Sequence, residues 1–166
     1  MNIEFGLTKE TTNTQYAPLG ALLAHYQQNQ VLKPLEQVRI VMKSRDFTAN
    51  DKILQVLISI LAGCETISEV NQKLKPEKQI AHLWDWSRFA DQSGLSRTLD
   101  ALTLMNLEQL RQAVGQILHQ QGQTVHHDWR GYLYLDFDLS GLPCGKKAQH
   151  SQKGYFSGKK TQLDVN

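Results

Sequence analysis

Two aspartates and a run of lysines near the end of the sequence carry its most pointed chemistry. In Tyr132-Leu-Tyr-Leu-Asp-Phe-Asp-Leu-Ser140, the apolar residues Leu133, Leu135, Phe137 and Leu139 alternate with Tyr132, Tyr134, Asp136, Asp138 and Ser140. A period of two predicts a strand with both carboxylates on one face, their Cα atoms about 6–7 Å apart. Gly141-Leu-Pro-Cys-Gly145 reads as the turn that ends it, and a second strand is expected around Lys153 to Ser157. Five lysines (Lys146, Lys147, Lys153, Lys159 and Lys160) and no acid lie between Gly141 and Leu163. Carboxylates beside a basic loop suit metal-assisted phosphodiester chemistry, the acids holding a divalent cation and the lysines neutralising phosphates. Tyr155 and Phe156 sit among the lysines and could stack on an unpaired base. One strand cannot complete a two-metal site, because two cations about 3.5–4 Å apart need carboxylates from other elements. The plainer alternative is the polar face of an edge strand beside a solvated loop.

Other chemistries fit less well. Gly141-Leu-Pro-Cys-Gly-Lys-Lys147 has three residues between its glycines where a phosphate-binding P-loop has four. Lys147 also stands where a Ser or Thr would coordinate Mg²⁺, so a nucleotide-hydrolase reading is rejected. His126-His127-Asp128 offers metal ligands, but adjacent residues rarely face one centre and no Cys or His cluster completes the set. Cys144 has no positioned base to make it a nucleophile.

These residues belong to a chain of 166 residues, 40% hydrophobic and 20% charged, which describes one globular domain or one plus part of another. A net charge of +2 implies no polyanion partner by itself; the clustering of lysines near the C-terminus says more. The longest apolar run, Ile53 to Gly63, falls short of the ~20 residues that span a membrane and suits a buried helix. Met1 to Gly20 is too polar for a signal peptide, and Cys64 and Cys144 lie eighty positions apart. Both are read as free thiols in a reducing cytoplasm.

The elements that must position the chemistry are mostly helical. A first helix is expected near Pro18, with Leu19, Leu22, Leu23 and Tyr26 at helical spacing. Pro34 breaks the next stretch, and the alternation of Val38, Ile40 and Met42 favours an extended segment. Thr48-Ala-Asn-Asp51 reads as a capping box before an apolar helix that Gly63 closes. Thr66-Ile-Ser-Glu69 repeats the box before a short helix through Leu74, stopped by Pro76. Glu77 to Leu83 is another short helix, Phe89 to Ser93 a turn, and Leu95 to Leu102 a compact helix carrying Arg97. Asn106 is expected to cap a longer helix, with Leu107, Leu110, Val114, Ile117 and Leu118 inward, ending near Gly122. Trp84 and Trp86 read as packing residues. The helices between Thr66 and Leu102 fit either a helix-turn-helix or a plain bundle, and spacing does not separate the two.

Leu135-Asp-Phe-Asp-Leu-Ser-Gly-Leu-Pro143, Gly145-Lys-Lys-Ala148 and Ser151-Gln-Lys-Gly-Tyr-Phe156 together resemble the start of the catalytic domain in DDE-type transposases of bacterial insertion sequences. Upstream, Ile60 to Cys64, Ile67 to Asn71 and Asp91-Gln-Ser-Gly-Leu-Ser-Arg-Thr-Leu99 resemble their helical N-terminal domain. The resemblance spans residues 45–160 and is most specific over 135–156. It implies an α+β, mostly α chain: a helical DNA-end-binding region over 1–125, then over 126–166 the first strand or two of an incomplete RNase H-like domain. Asp138 would be the first catalytic aspartate and a metal ligand, with Asp136 a supporting acid at the same Mg²⁺ or Mn²⁺. Arg97, Lys146, Lys147, Lys153, Lys159 and Lys160 would contact DNA at the terminal inverted repeats. A homo-oligomer, no membrane partner and a bacterial cytoplasmic, nucleoid-associated location are further expectations.

The family's chemistry takes two Asp and one Glu. Here the only acid after Asp138 is Asp164, and every glutamate lies upstream. The expectation is therefore a truncated transposase that does not bind metal tightly and does not cleave DNA. Nicking by these 166 residues with Mg²⁺ or Mn²⁺, abolished by Asp138→Ala, would contradict it. The alternatives are a non-catalytic module that recognises transposon ends, and a helical interaction protein that prefers no nucleic acid.

Overall fold

The computed structural model describes residues 14–132 and 134, together with the backbone of Leu142–Pro143, Ser151–Lys153 and Leu163–Val165. Asp136, Asp138, Lys146, Lys147, Lys159 and Lys160 lie outside these residues, as do residues 135–140 of the expected strand and Cys144. The chain divides after His126 into two units, Met1–His126 and His127–Asn166.

In the first unit the described residues form six α-helices: α1 (Ala17–Gln28), α2 (Ala49–Leu61), α3 (Val70–Lys73), α4 (Lys78–His82), α5 (Gln92–Asp100) and α6 (Leu104–Gln121). Pro18 opens α1, where its missing N–H costs nothing. The Thr48 hydroxyl accepts from the Asp51 N–H while the Asp51 carboxylate accepts from the Thr48 N–H, the reciprocal cap expected of α2. Gly63 closes α2 at φ 73°, a left-handed conformation that costs glycine little.

Three boundaries differ from expectation. At the second anticipated box, the Thr66 hydroxyl bonds Ser68 and Glu69 side chains and caps no backbone, so a 3₁₀ turn, Ile67–Glu69, precedes a single turn of α3. Helix α5 begins at Gln92, inside the expected turn, because Asn71 of α3 accepts from the Gln92 N–H and satisfies an otherwise orphaned donor. Helix α6 is capped by Thr103, with Asn106 at the third helical position closing the box.

The core gathers Leu23, Ile58, Val70, Leu74, Phe89 and Leu95, all under 2% exposed. Trp86 packs edge-on against Phe47 and Phe89 at 6.4 and 6.0 Å and stacks on Trp84 at 5.6 Å, as packing residues should. Its indole N–H donates to Asp51 Oδ1, tying this aromatic cluster to the start of α2.

Helix α6 meets the expected orientation only in part: Leu110 and Ile117 are half-buried and line an apolar groove with α2. The fully buried residues of its inward face are polar or small: Asn106 and Ala113 are buried, Asn106 Nδ2 donates to the Arg39 carbonyl at 2.8 Å, and Gln109 Oε1 accepts from the Arg39 N–H at 3.0 Å. These side chains serve the extended segment after Val38, which would otherwise need a strand partner. Leu107, Val114 and Leu118, expected inward, are 50%, 48% and 65% exposed. Periodicity marked the apolar stripe, but not that the fold would turn only its Leu110–Ile117 edge inward.

In the second unit the described strands are β1 (Leu142–Pro143), β2 (Ser151–Lys153) and β3 (Leu163–Val165), antiparallel in the order β1-β3-β2. Leu142-Pro143 thus pairs with Asp164 and Val165 where a turn was expected. Pro143 is tolerated because β1 lies at the edge of these three strands, where its missing N–H breaks no ladder. Tyr132 and Tyr134 are not in a strand and are almost fully exposed. Arg130 clasps both carboxylate oxygens of Asp128, at 2.8 Å from Nη2 and 2.9 Å from Nε.

Candidate nucleic-acid interface

Arg97 opens onto a concavity of about 560 Å³ in the first unit. The extended segment before α2 supplies Lys43 and Arg45; α2 supplies Lys52; the connection before α5 supplies Arg88; α5 supplies Arg97. Asp46 and Asp91 are the acids on this wall, so five cations face two carboxylates, a net of three positive charges.

Both acids are engaged. Arg88 Nη2 donates to Asp46 Oδ2 at 2.8 Å, and Lys75 pairs with Asp91. The hydrogen bond and charge of Lys75 hold the Asp91 carboxyl below its ordinary value, so it stays ionised at neutral pH. Among the described residues Lys43, Arg45, Lys52 and Arg97 form no ion pair. Arg97 Nε donates to the Ser93 carbonyl one turn back, which fixes the stem and leaves the outer guanidinium nitrogens toward the opening. The N-terminus of α5 lies in the same wall, through Asp91, Ser93 and Gly94, and its dipole adds to the positive potential. A planar guanidinium, point-charge lysines and a helix N-terminus converging on one hollow are the means by which proteins grip phosphates.

One buried side chain positions this wall. Gln55 on α2 is fully buried, and its Oε1 accepts from the Ala90 N–H at 2.7 Å. That bond pins the chain at the entry to α5, two residues from Arg88. Replacing Gln55 with leucine keeps the volume and orphans the Ala90 N–H but also removes the buried, unpartnered Gln55 Nε2, so the net cost is expected at the low end of about 1–3 kcal/mol. Chemical denaturation of the Gln55→Leu variant would measure it, and an unchanged midpoint would show that the bond is not needed.

Of the residues expected to bind DNA, the structure places Arg97 in this site. Lys153 lies in β2, and the four other lysines fall outside the described residues. Lys43, Arg45, Lys52 and Arg88 went unrecognised because acids alternate with them along the chain. Folding sorts the charges: Asp51 turns to the α2 cap and to Trp86, and Asp46 to Arg88. Between Thr66 and Leu102, residues 74–77 separate α3 from α4 and residues 83–91 separate α4 from α5, so only the first connection has the roughly three or four residues of a helix-turn-helix. Among the described residues no group of three His, Cys, Asp or Glu side chains is placed to hold a metal, and no helix is long and apolar enough to cross a membrane. Cys64 is a half-buried free thiol whose pKa burial pushes up. No protein-family model, curated protein or solved structure matches the chain.

Proposed function

We propose that this chain is the DNA-end-binding part of a DDE-type transposase, carrying the beginning of its RNase H-like catalytic domain. The single observation that supports the DNA-binding half is the basic concavity around Arg97, which three separate stretches of chain build within one unit. The catalytic half rests on the likeness of residues 135–156 to that family, with Asp138 as the first catalytic acid and Asp136 beside it. Mg²⁺ or Mn²⁺ held there would activate water or a 3′-hydroxyl for strand cleavage and transfer. In this reading the protein works on DNA in the bacterial cytoplasm, at the nucleoid, and Lys146, Lys147, Lys153, Lys159 and Lys160 add phosphate contacts.

A second reading, a module that binds element ends without catalysis, is favoured by the completeness of the concavity. All its cations lie between Lys43 and Arg97, and none depends on Asp138. Titrating the protein into duplexes carrying the terminal inverted repeats, beside scrambled duplexes, tests both. Either reading predicts tighter binding to the repeats and a steep loss of affinity as salt rises. Equal, salt-insensitive binding to both duplexes would contradict both. Magnesium-dependent nicking once the remaining acids are supplied, lost on Asp138→Ala, separates the first from the second.

A further inference from the structure

Residues 38–43 have the pattern of a strand but no sheet to belong to. Val38 is buried and Ile40 and Met42 are half-buried, while Arg39, Val41 and Lys43 face out. This is the period of two that β structure shows, in residue types that favour it. Two helices hold the segment in place. The Arg39 N–H and carbonyl are taken by Gln109 and Asn106 of α6, and Met42 Sδ accepts from the Thr98 hydroxyl of α5 at 3.4 Å. In an extended chain successive residues turn their N–H and C=O to opposite edges. The α6 side chains therefore serve one edge at Arg39, and Ile40 and Met42 present their backbone groups on the other. Among the described residues no hydrogen bond reaches those groups and no strand pairs with them. A free edge of this kind is a template for another strand. Its outer face reads Arg39, Val41, Lys43. Val41 is 98% exposed, and among the described residues neither cation forms an ion pair.

We propose that this edge takes an extended acidic peptide of another protein, added as an antiparallel strand. The peptide carries an apolar residue with an acid two positions away on each side. Direct opposition sets the apolar residue against Val41 and the acids against Arg39 and Lys43. The residues between them exchange N–H and C=O bonds with Ile40 and Met42. Charge chooses this occupant. A second copy of the segment, antiparallel about Val41, would set Arg39 against Lys43, and a parallel copy would set each cation against itself; both arrangements repel. A nucleic acid offers phosphates to the cations but no ladder of alternating donors and acceptors to the backbone. Lys43 also lines the basic concavity, whereas Arg39 and Val41 do not. The inference rests on the edge alone and holds whatever the concavity binds.

Fluorescence anisotropy of the labelled synthetic peptide Thr-Glu-Thr-Val-Thr-Glu-Thr, titrated with the full chain, tests it. Saturable binding is expected. N-methylation of the two threonines flanking the valine removes two bonds of the ladder and is expected to weaken binding at least about tenfold. N-methylation of the valine itself should change little, because its N–H points to the far edge. The counterpart peptide with lysine for glutamate is expected not to bind. Arg39→Glu with Lys43→Glu should exchange the two preferences, with unchanged helical circular dichroism because both side chains are exposed. No saturable binding up to about 1 mM overturns the proposal. So does equal binding of the two methylated peptides, which would leave charge attraction without a ladder, or equal binding of the lysine peptide. Self-association of the chain that Val41→Arg abolishes would give the edge to a second copy and overturn it as well.

Discussion

Replacing Lys43 and Arg97 together with glutamate is expected to weaken binding to duplex DNA about 100-fold at ~0.1 M salt, two lost contacts at about tenfold each. The two side chains enter the concavity from different elements, the extended segment and α5, and both are exposed. Each phosphate contact contributes about 0.9 to the slope of log affinity against log salt, so the slope should flatten by about 2. Lysine at position 97 with Lys43 intact is expected to fall between, because it keeps the charge and loses the planar fork. Melting temperature and helical signal should not move, since neither side chain packs in the core. Fluorescence anisotropy over a salt series would measure the change. Affinity and slope unchanged in the glutamate variant would place the DNA elsewhere.

Phe89→Ala is expected to cost about 3–5 kcal/mol, a large part of the roughly 5–15 kcal/mol that holds a typical domain folded. Phe89 is 1% exposed and is the largest fully buried side chain among the described residues. It packs edge-on against Trp86, which in turn contacts Trp84 and Phe47. Removing the ring leaves a hole bordered by rigid aromatics, which collapse poorly onto it. The thermal midpoint should fall by more than about 10 °C. Because Phe89 lies between Arg88 and Ala90, the variant should also lose DNA affinity at temperatures where the native protein still binds. A fall of less than about 3 °C in thermal unfolding would mean that the cluster is not the centre of the core.

How much of this was legible in the sequence depends on how local the cause was. The α2 cap could be read from Thr48 and Asp51, and its end from Gly63, because each acts over one turn. The start of α5 could not, since the group that satisfies Gln92 is Asn71, twenty-one positions away. The stripe on α6 was visible as a period, but its direction depended on Arg39 offering its backbone to Asn106 and Gln109. The same holds for the candidate site. Arg97 stood out, whereas Lys43, Arg45 and Lys52 were masked by Asp46 and Asp51, whose charges the fold spends on Arg88 and on a helix cap. Asp136 and Asp138, the most suggestive residues in the sequence, lie outside the described residues, and the role proposed for them rests on family likeness.

The central claim is that DNA sits in the concavity around Arg97, and lysine footprinting tests it most directly. The protein would be acetylated briefly with and without a duplex bearing the terminal repeat, and each lysine quantified by mass spectrometry. Lys43 and Lys52, which line the concavity, are expected to be protected several-fold by the duplex, while Lys33, which lines a separate hollow beside the start of α2, is expected to react equally in both samples. Protection confined to Lys146 through Lys160, with Lys43 and Lys52 unchanged, would contradict the account.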